Sequence, residues 1–108
     1  VSTKRLILRA AADRDTTAAV DYYADEVDAD TALRFIGALN SAKADIARSP
    51  MLGSPRYADI LDVPGLRHWK LRRFPYLVSY IERKDYIDVW RVLHAARDIP
   101  AWLTGAGD

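Results

Sequence analysis

Two short segments of this 108-residue sequence gather side chains able to do chemistry. The first is Arg67-His68-Trp69-Lys70-Leu71-Arg72-Arg73, in which basic residues flank an indole. On a strand, that mixture supplies phosphate contacts together with a stacking platform for nucleic acid. It suits equally well an edge or concave strand whose cations discourage self-association, with Trp69 in the core. The second is Leu93-His94-Ala95-Ala96-Arg97-Asp98, where an apolar run ends in an imidazole, a guanidinium and a carboxylate. A histidine beside a cation has the parts of a general base for phosphodiester cleavage. The same residues serve structure if Arg97 clamps the strand end to a carboxylate while Asp98 caps a following helix. At the level of residues both segments keep both readings.

Other chemistries are removed by what the chain lacks. Cysteine is absent, which excludes a thiol nucleophile, a thiolate zinc site and a disulfide framework, and suits a reducing cytoplasm. The five glycines are scattered and none opens a phosphate-binding loop. His68 and His94 are the only histidines, with no metal-ligand spacing around them, so neither metal nor cofactor is expected. No Gly-x-Ser-x-Gly occurs, and Ser79 alone among the serines sits in a strand pattern. No apolar run approaches the ~20 residues of a membrane span, and no signal peptide pattern opens the chain.

The elements that must position these segments follow from periodicity. Lys4 to Arg9 reads as a short buried strand. From Asp13 to Val27, small or apolar residues recur at helical spacing with acids opposite, and Asp13 is the expected N-cap. A second helix is predicted from about Asp30 to Arg48, stopped by Pro50, and the short connection makes the two an antiparallel hairpin. Ser49 to Pro64 is expected to be loop, with at most one helical turn near Tyr57 to Leu61. Gly65–Arg73, Tyr76–Arg83 and Tyr86–His94 read as three strands of an antiparallel meander, and Ile99–Leu103 as a last short helix. The layout is an α+β domain, β-α-α-β-β-β-α, with a sheet of about four strands packed on a helical hairpin. It occupies residues 1–108 as one domain with a frayed tail at about 104–108.

Simple alternation in the last strand puts Ile87, Val89, Arg91 and Leu93 on one face, and Asp88, Trp90, Val92 and His94 on the other. Since one helical layer covers one face, the second is expected to hold a partly exposed apolar groove. Charge is also divided. Residues 11–30 carry seven acids against Arg14, a net of −6, whereas residues 64–97 carry eight bases against three acids, a net of +5. A basic surface of this kind attracts an acidic partner.

The stretch from Val63 to Tyr80, with Gly65-Leu66-Arg67 opening the second strand and Phe74-Pro75-Tyr76 at its turn, resembles the ParE branch of the RelE/ParE toxins of type II toxin-antitoxin systems. So does Val89 to Pro100, with Arg91-Val92-Leu93-His94 and Arg97-Asp98. The likeness spans about residues 3–103. It implies a bacterial, cytoplasmic toxin of the plasmid-stabilisation kind, silenced in a hetero-oligomeric complex by a ParD-like antitoxin whose acidic, amphipathic C-terminal segment folds on docking. Arg67, Arg72, Arg91 and Arg97 are then the expected charge anchors, Trp69, Trp90 and Trp102 the apolar ones, and His94, Arg97 and Asp98 the family motif. Relatives of the RelE kind cleave messenger RNA on the ribosome with cations along the sheet, whereas ParE-like members inhibit DNA gyrase without enzymatic chemistry. Here Leu77 stands where the ribonucleases place an arginine, and Ala101-Trp102-Leu103 offer no terminal Tyr or His, while His68 and Lys70 match their basic pair. The expectation is a non-enzymatic gyrase inhibitor that binds no nucleic acid by itself. A ribosome-dependent ribonuclease and a non-toxic antitoxin-binding relative remain as alternatives.

Overall fold

A computed structural model describes residues 3–97 and 99–103. Strand β1 (Leu6–Leu8) runs directly into α1 (Ala10–Glu26). The expected cap at Asp13 is corrected: the helix begins three residues earlier, because Ala10, Ala11 and Ala12 are strong helix formers and the Arg9 carbonyl accepts the Asp13 N–H at 3.1 Å. Asp13 instead lies in the first turn, where a carboxylate still meets the positive end of the helix dipole. Helix α2 (Ala29–Arg48) has a side-chain cap, since the Asp28 carboxylate accepts the Thr31 N–H at 2.7 Å. Past Arg48 the chain makes a 3-10 turn at Pro50–Leu52 and a short α3 (Arg56–Leu61), which Asp62 ends in the left-handed conformation at φ 54°. Strands β2 (Leu66–Lys70), β3 (Tyr76–Glu82) and β4 (Ile87–His94) form the meander, and α4 (Ile99–Leu103) follows. The expected capping residue Asp98 and the tail at 104–108 lie outside the described residues.

The sheet order is β1-β4-β3-β2, with β1 parallel to β4 and the other pairs antiparallel. Register along β3 and β4 shifts between Ser79 and Tyr80: Ser79 pairs with Arg91 and Tyr80 with Val89, leaving Trp90 as the extra residue of a bulge. The bulge overturns the simple alternation. Ile87, Val89 and Val92 pack on one face, and Trp90 and Leu93 on the other, so the face of Val92 and His94 is exchanged with that of Arg91 and Leu93 relative to the first half of the strand.

Against the first face lie Ala12 and Ala19 of α1 and Phe35, Leu39, Ala42 and Ile46 of α2. Small residues on α1 let the helix approach the sheet closely, and Phe35, Phe74, Tyr23 and Tyr76 fill one end as mutually tilted or edge-on rings 5.0–6.3 Å apart. The second face is not the open groove expected from one helical layer. Leu66, Leu77, Ile81 and Leu93 are at most 9% exposed and form a cluster with Ile99 and Leu103 of α4, with Tyr57, Ala58 and Leu61 of α3 and Trp102 packed around it. Two short helices cover what two long ones leave. The reason is local: Pro55 and Pro100 fit helix starts, so the helical turn expected near Tyr57 to Leu61 and the short helix expected at Ile99–Leu103 both fold back with an apolar side on the sheet.

Candidate interaction surface

Where β1 stops at Leu8, the edge of β4 continues, and α1 supplies what a strand would have supplied. Asp15 accepts the Val92 backbone N–H at 3.0 Å and takes both Nε and Nη2 of Arg91 at 2.8 Å. This pair is only 11% and 14% exposed, so its two-pronged geometry is what offsets the cost of removing both charges from water. A third donor of Arg91, Nη1, reaches the Trp102 carbonyl at 3.1 Å, which ties α4 to the sheet. Arg97 lies over the Trp102 ring at 4.1 Å, and Arg91 lies 5.3 Å from the same ring. Arg97 itself is exposed and has no carboxylate partner among the described residues.

Beside this platform opens a cleft of about 640 Å³ between α1 and the ends of β3 and β4, lined by Ala18, Tyr22, Tyr23, Val27, Tyr76, His94 and Arg97 among others. Tyr22 and Val27 are both 56% exposed, which leaves the cleft wall uncovered by the described residues. The His94 Nδ1 accepts the Ala96 N–H at 3.0 Å, and its ring meets Tyr76 edge-on at 5.2 Å, so the imidazole holds the turn after β4. Burial pushes the Tyr76 hydroxyl above the ordinary tyrosine range, opposed by Arg97 nearby.

A second cluster surrounds Asp88, whose side chain is 8% exposed. It accepts Nε and Nη2 from Arg9 at 3.0 and 2.9 Å, two donors from Arg83, and the Trp90 indole N–H at 3.3 Å. Arg9 also covers the Trp90 ring at 4.3 Å. Burial alone would raise the Asp88 carboxyl, but the two guanidiniums and the indole hold it below the ordinary carboxylate range.

On β2 the side chains divide by alternation. Arg67 and Trp69 turn toward the hairpin: Arg67 donates to the Gly53 carbonyl at 2.7 Å, and Trp69 packs half-buried on the first core. Tyr80, fully buried, donates to the Pro50 carbonyl at 2.7 Å, and burial pushes its phenol up to about 12, opposed by Arg67. Any side chain at Gly53 would collide with this ring and hydroxyl. His68 and Lys70 face the other way. His68 lies against Tyr57 with the rings tilted and their centroids 5.1 Å apart, and burial, aided by Arg56, pulls its imidazole below the ordinary histidine value. Arg72 is exposed in the turn between β2 and β3.

The structure thus brings Arg91, Arg97, Trp102 and His94 to one end of the sheet. It places Trp90 with the Asp88 cluster and keeps Arg67 and Trp69 on β2, turned to the hairpin. The sequence reading missed Asp15, Arg9 and Asp88. Nothing in their local spacing distinguishes them, because each acquires its role from a partner about 75–80 residues away.

A sequence-family profile described as "ParE toxin of type II toxin-antitoxin system, parDE" matches residues 6–99. The chain belongs to the ParE toxin family. The ParE fold is likewise seen in a solved structure described as a chromosomal ParDE TA system from P. aeruginosa, which superposes with a TM-score of 0.70 at 20% identity, over 85% of this chain and 96% of that one. Comparison with curated proteins gives no significant match. The match to the family ends at Ile99, the first residue of α4, so the rest of that helix, with Trp102, lies beyond the matched span.

Proposed function

We propose that this ParE-family chain is the toxin of a type II pair in the bacterial cytoplasm, held inactive by a ParD-like antitoxin, and that when released it inhibits DNA gyrase by binding rather than by catalysis. The observation that carries the non-catalytic reading is the filling of the middle of the sheet. Leu77, at 9% exposure, belongs to the apolar cluster with Ile99 and Leu103, and by the resemblance it stands where the ribonucleases of the RelE kind place an arginine. His68 is half-buried under Tyr57 and biased to its neutral form, so a basic pair with the exposed Lys70 has no second cation to stabilise a phosphorane. Each missing donor of that type is worth roughly 3 kcal/mol of transition-state stabilisation.

The partner reading draws on the aromatic cleft and the adjoining Arg97–Trp102 platform. An amphipathic segment laid along them would bury Tyr22 and Val27 and give Arg97 a carboxylate, the aromatic-plus-arginine composition typical of interface hot spots.

The test is expression without the antitoxin, followed by assays on purified protein. Growth arrest, loss of supercoiling by purified gyrase, intact cellular transcripts and rescue by the product of the adjacent antitoxin gene are the expected results. Transcripts cut on translating ribosomes, with cutting abolished by His68→Ala or Lys70→Ala, would assign the ribonuclease activity instead. Unchanged growth would leave only antitoxin binding.

A further inference from the structure

The turn that follows α2 is pinned to the sheet although most of it lies at the surface. The Tyr80 hydroxyl reaches out of the core to donate to the Pro50 carbonyl, and Arg67 Nη1 donates to the Gly53 carbonyl, both at 2.7 Å. Ser54 and His68 exchange both backbone hydrogen bonds at 2.9 Å, so the turn runs along the outer edge of β2, the strand furthest from β1. Gly53 permits this close passage, because a Cβ there would sit 2.0 Å from the Tyr80 hydroxyl oxygen.

What the pinned turn displays is apolar. Met51 is 65% exposed and Leu52 74%, and neither packs into a core cluster. Single exposed apolar side chains are ordinary, but two in succession on an anchored turn make a knob whose backbone is already ordered before any partner arrives. Its rim is cationic. Arg67 Nη2 stands 4.0 Å from the Met51 sulfur, Arg56 is exposed just past Pro55, and residues 48–73 as a whole carry six bases against Asp59 and Asp62. Methionine beside arginine is a composition enriched at protein–protein interfaces.

The surface complementary to such a knob is an apolar pocket edged by carboxylates. The aromatic cleft of a second copy does not qualify: the one acid among its lining residues, Asp15, is taken by Arg91, and Arg97 stands in the same lining. That lining also includes no residue of the turn or of β2, so a segment seated in the cleft leaves Met51 and Leu52 uncovered. We infer that Met51 and Leu52 are the apolar anchor with which this toxin enters a carboxylate-edged pocket on the protein it inhibits. The inference rests on the gyrase reading above and names the part of the toxin that makes the contact.

The experiment compares wild-type toxin with variants at exposed positions. Met51→Asp and Leu52→Asp are each expected to raise the concentration that half-inhibits supercoiling by purified gyrase about tenfold, and Arg56→Glu to raise it roughly fivefold at low salt and less at high salt. Leu33→Asp, at a comparably exposed apolar residue of α2, is the control and leaves inhibition unchanged. The Met51, Leu52 and Arg56 variants are expected to keep the melting temperature of the free protein and its affinity for the product of the adjacent antitoxin gene. Met51 is the single methionine of the chain, so an isotope-labelled methionine methyl reads this turn alone by NMR. Its signal is expected to broaden on addition of gyrase with DNA, and to stay sharp with antitoxin or as the free protein is concentrated. Undiminished inhibition by both aspartate variants, an equal loss in Leu33→Asp, or a Met51 signal that responds to antitoxin or to a second copy instead overturns the anchor and leaves the gyrase reading standing. Wild-type protein that leaves supercoiling intact removes both.

Discussion

Asp15 shows how much one side chain does here. One carboxylate caps a strand edge, neutralises Arg91 and, through Arg91, holds α4 by the Trp102 carbonyl. Asp15→Ala removes the two-pronged carboxylate acceptor of a guanidinium that is 11% exposed and leaves the Val92 N–H without its acceptor. The expected cost is about 3 kcal/mol, seen as a fall of roughly 10–20 °C in a thermal melt followed by circular dichroism. His68 predicts a pH effect. Because burial holds its folded-state pKa below the unfolded value, its contribution to stability is fully present above about pH 6.5 and is lost as pH falls from there through the folded pKa. Denaturant midpoints measured between pH 5 and 7 are therefore expected to decline toward acid, and His68→Gln to flatten that slope. From sequence, His68 and His94 were visible as candidates but their environments were not: a lone histidine in a strand reads the same whether it lies against a tyrosine or faces water.

At the scale of elements, long periodic helices and aromatic-rich strands were legible, and β2, β3, β4, α1 and α2 lie within a few residues of where periodicity places them. Two features were not. The bulge at Trp90 reverses facing halfway along β4, and no turn residue announces it, because the extra residue is accommodated by pairing with β3 and by Asp15 rather than by local preference. Helices α3 and α4 were expected as single short elements, but with six and five residues they hold too little of a helical period to show that they cover the second face. The expected anchors separate accordingly: Arg91, Arg97 and Trp102 converge at one end of the sheet, while Arg67 and Trp69 are turned toward the hairpin. The hold on α4 is testable. Trp102→Ala removes the ring against which Arg97 and Arg91 lie, so amides in 99–103 are expected to exchange at least tenfold faster while those of β3 keep their protection, as read by hydrogen-exchange mass spectrometry or NMR.

For the whole molecule, near-neutral net charge conceals a dipole: acids ride on the hairpin, and bases on the meander and its turns. Association with an acidic partner should be steered by this field, so the rate of complex formation measured by stopped flow is expected to drop about tenfold or more between 50 and 500 mM salt, with dissociation far less affected. The pairing of β1 with β4 has a temporal consequence. Leu6–Leu8 find their hydrogen-bond partners only at Ile87–Val89, and the Arg9–Asp88 and Asp15–Arg91 bridges span the same gap. A nascent polypeptide emerging from the ribosome therefore cannot close its sheet until Ile87–Val89 have been translated. Closure of the sheet arrives late in synthesis, and until then the first strand is still waiting for its neighbour.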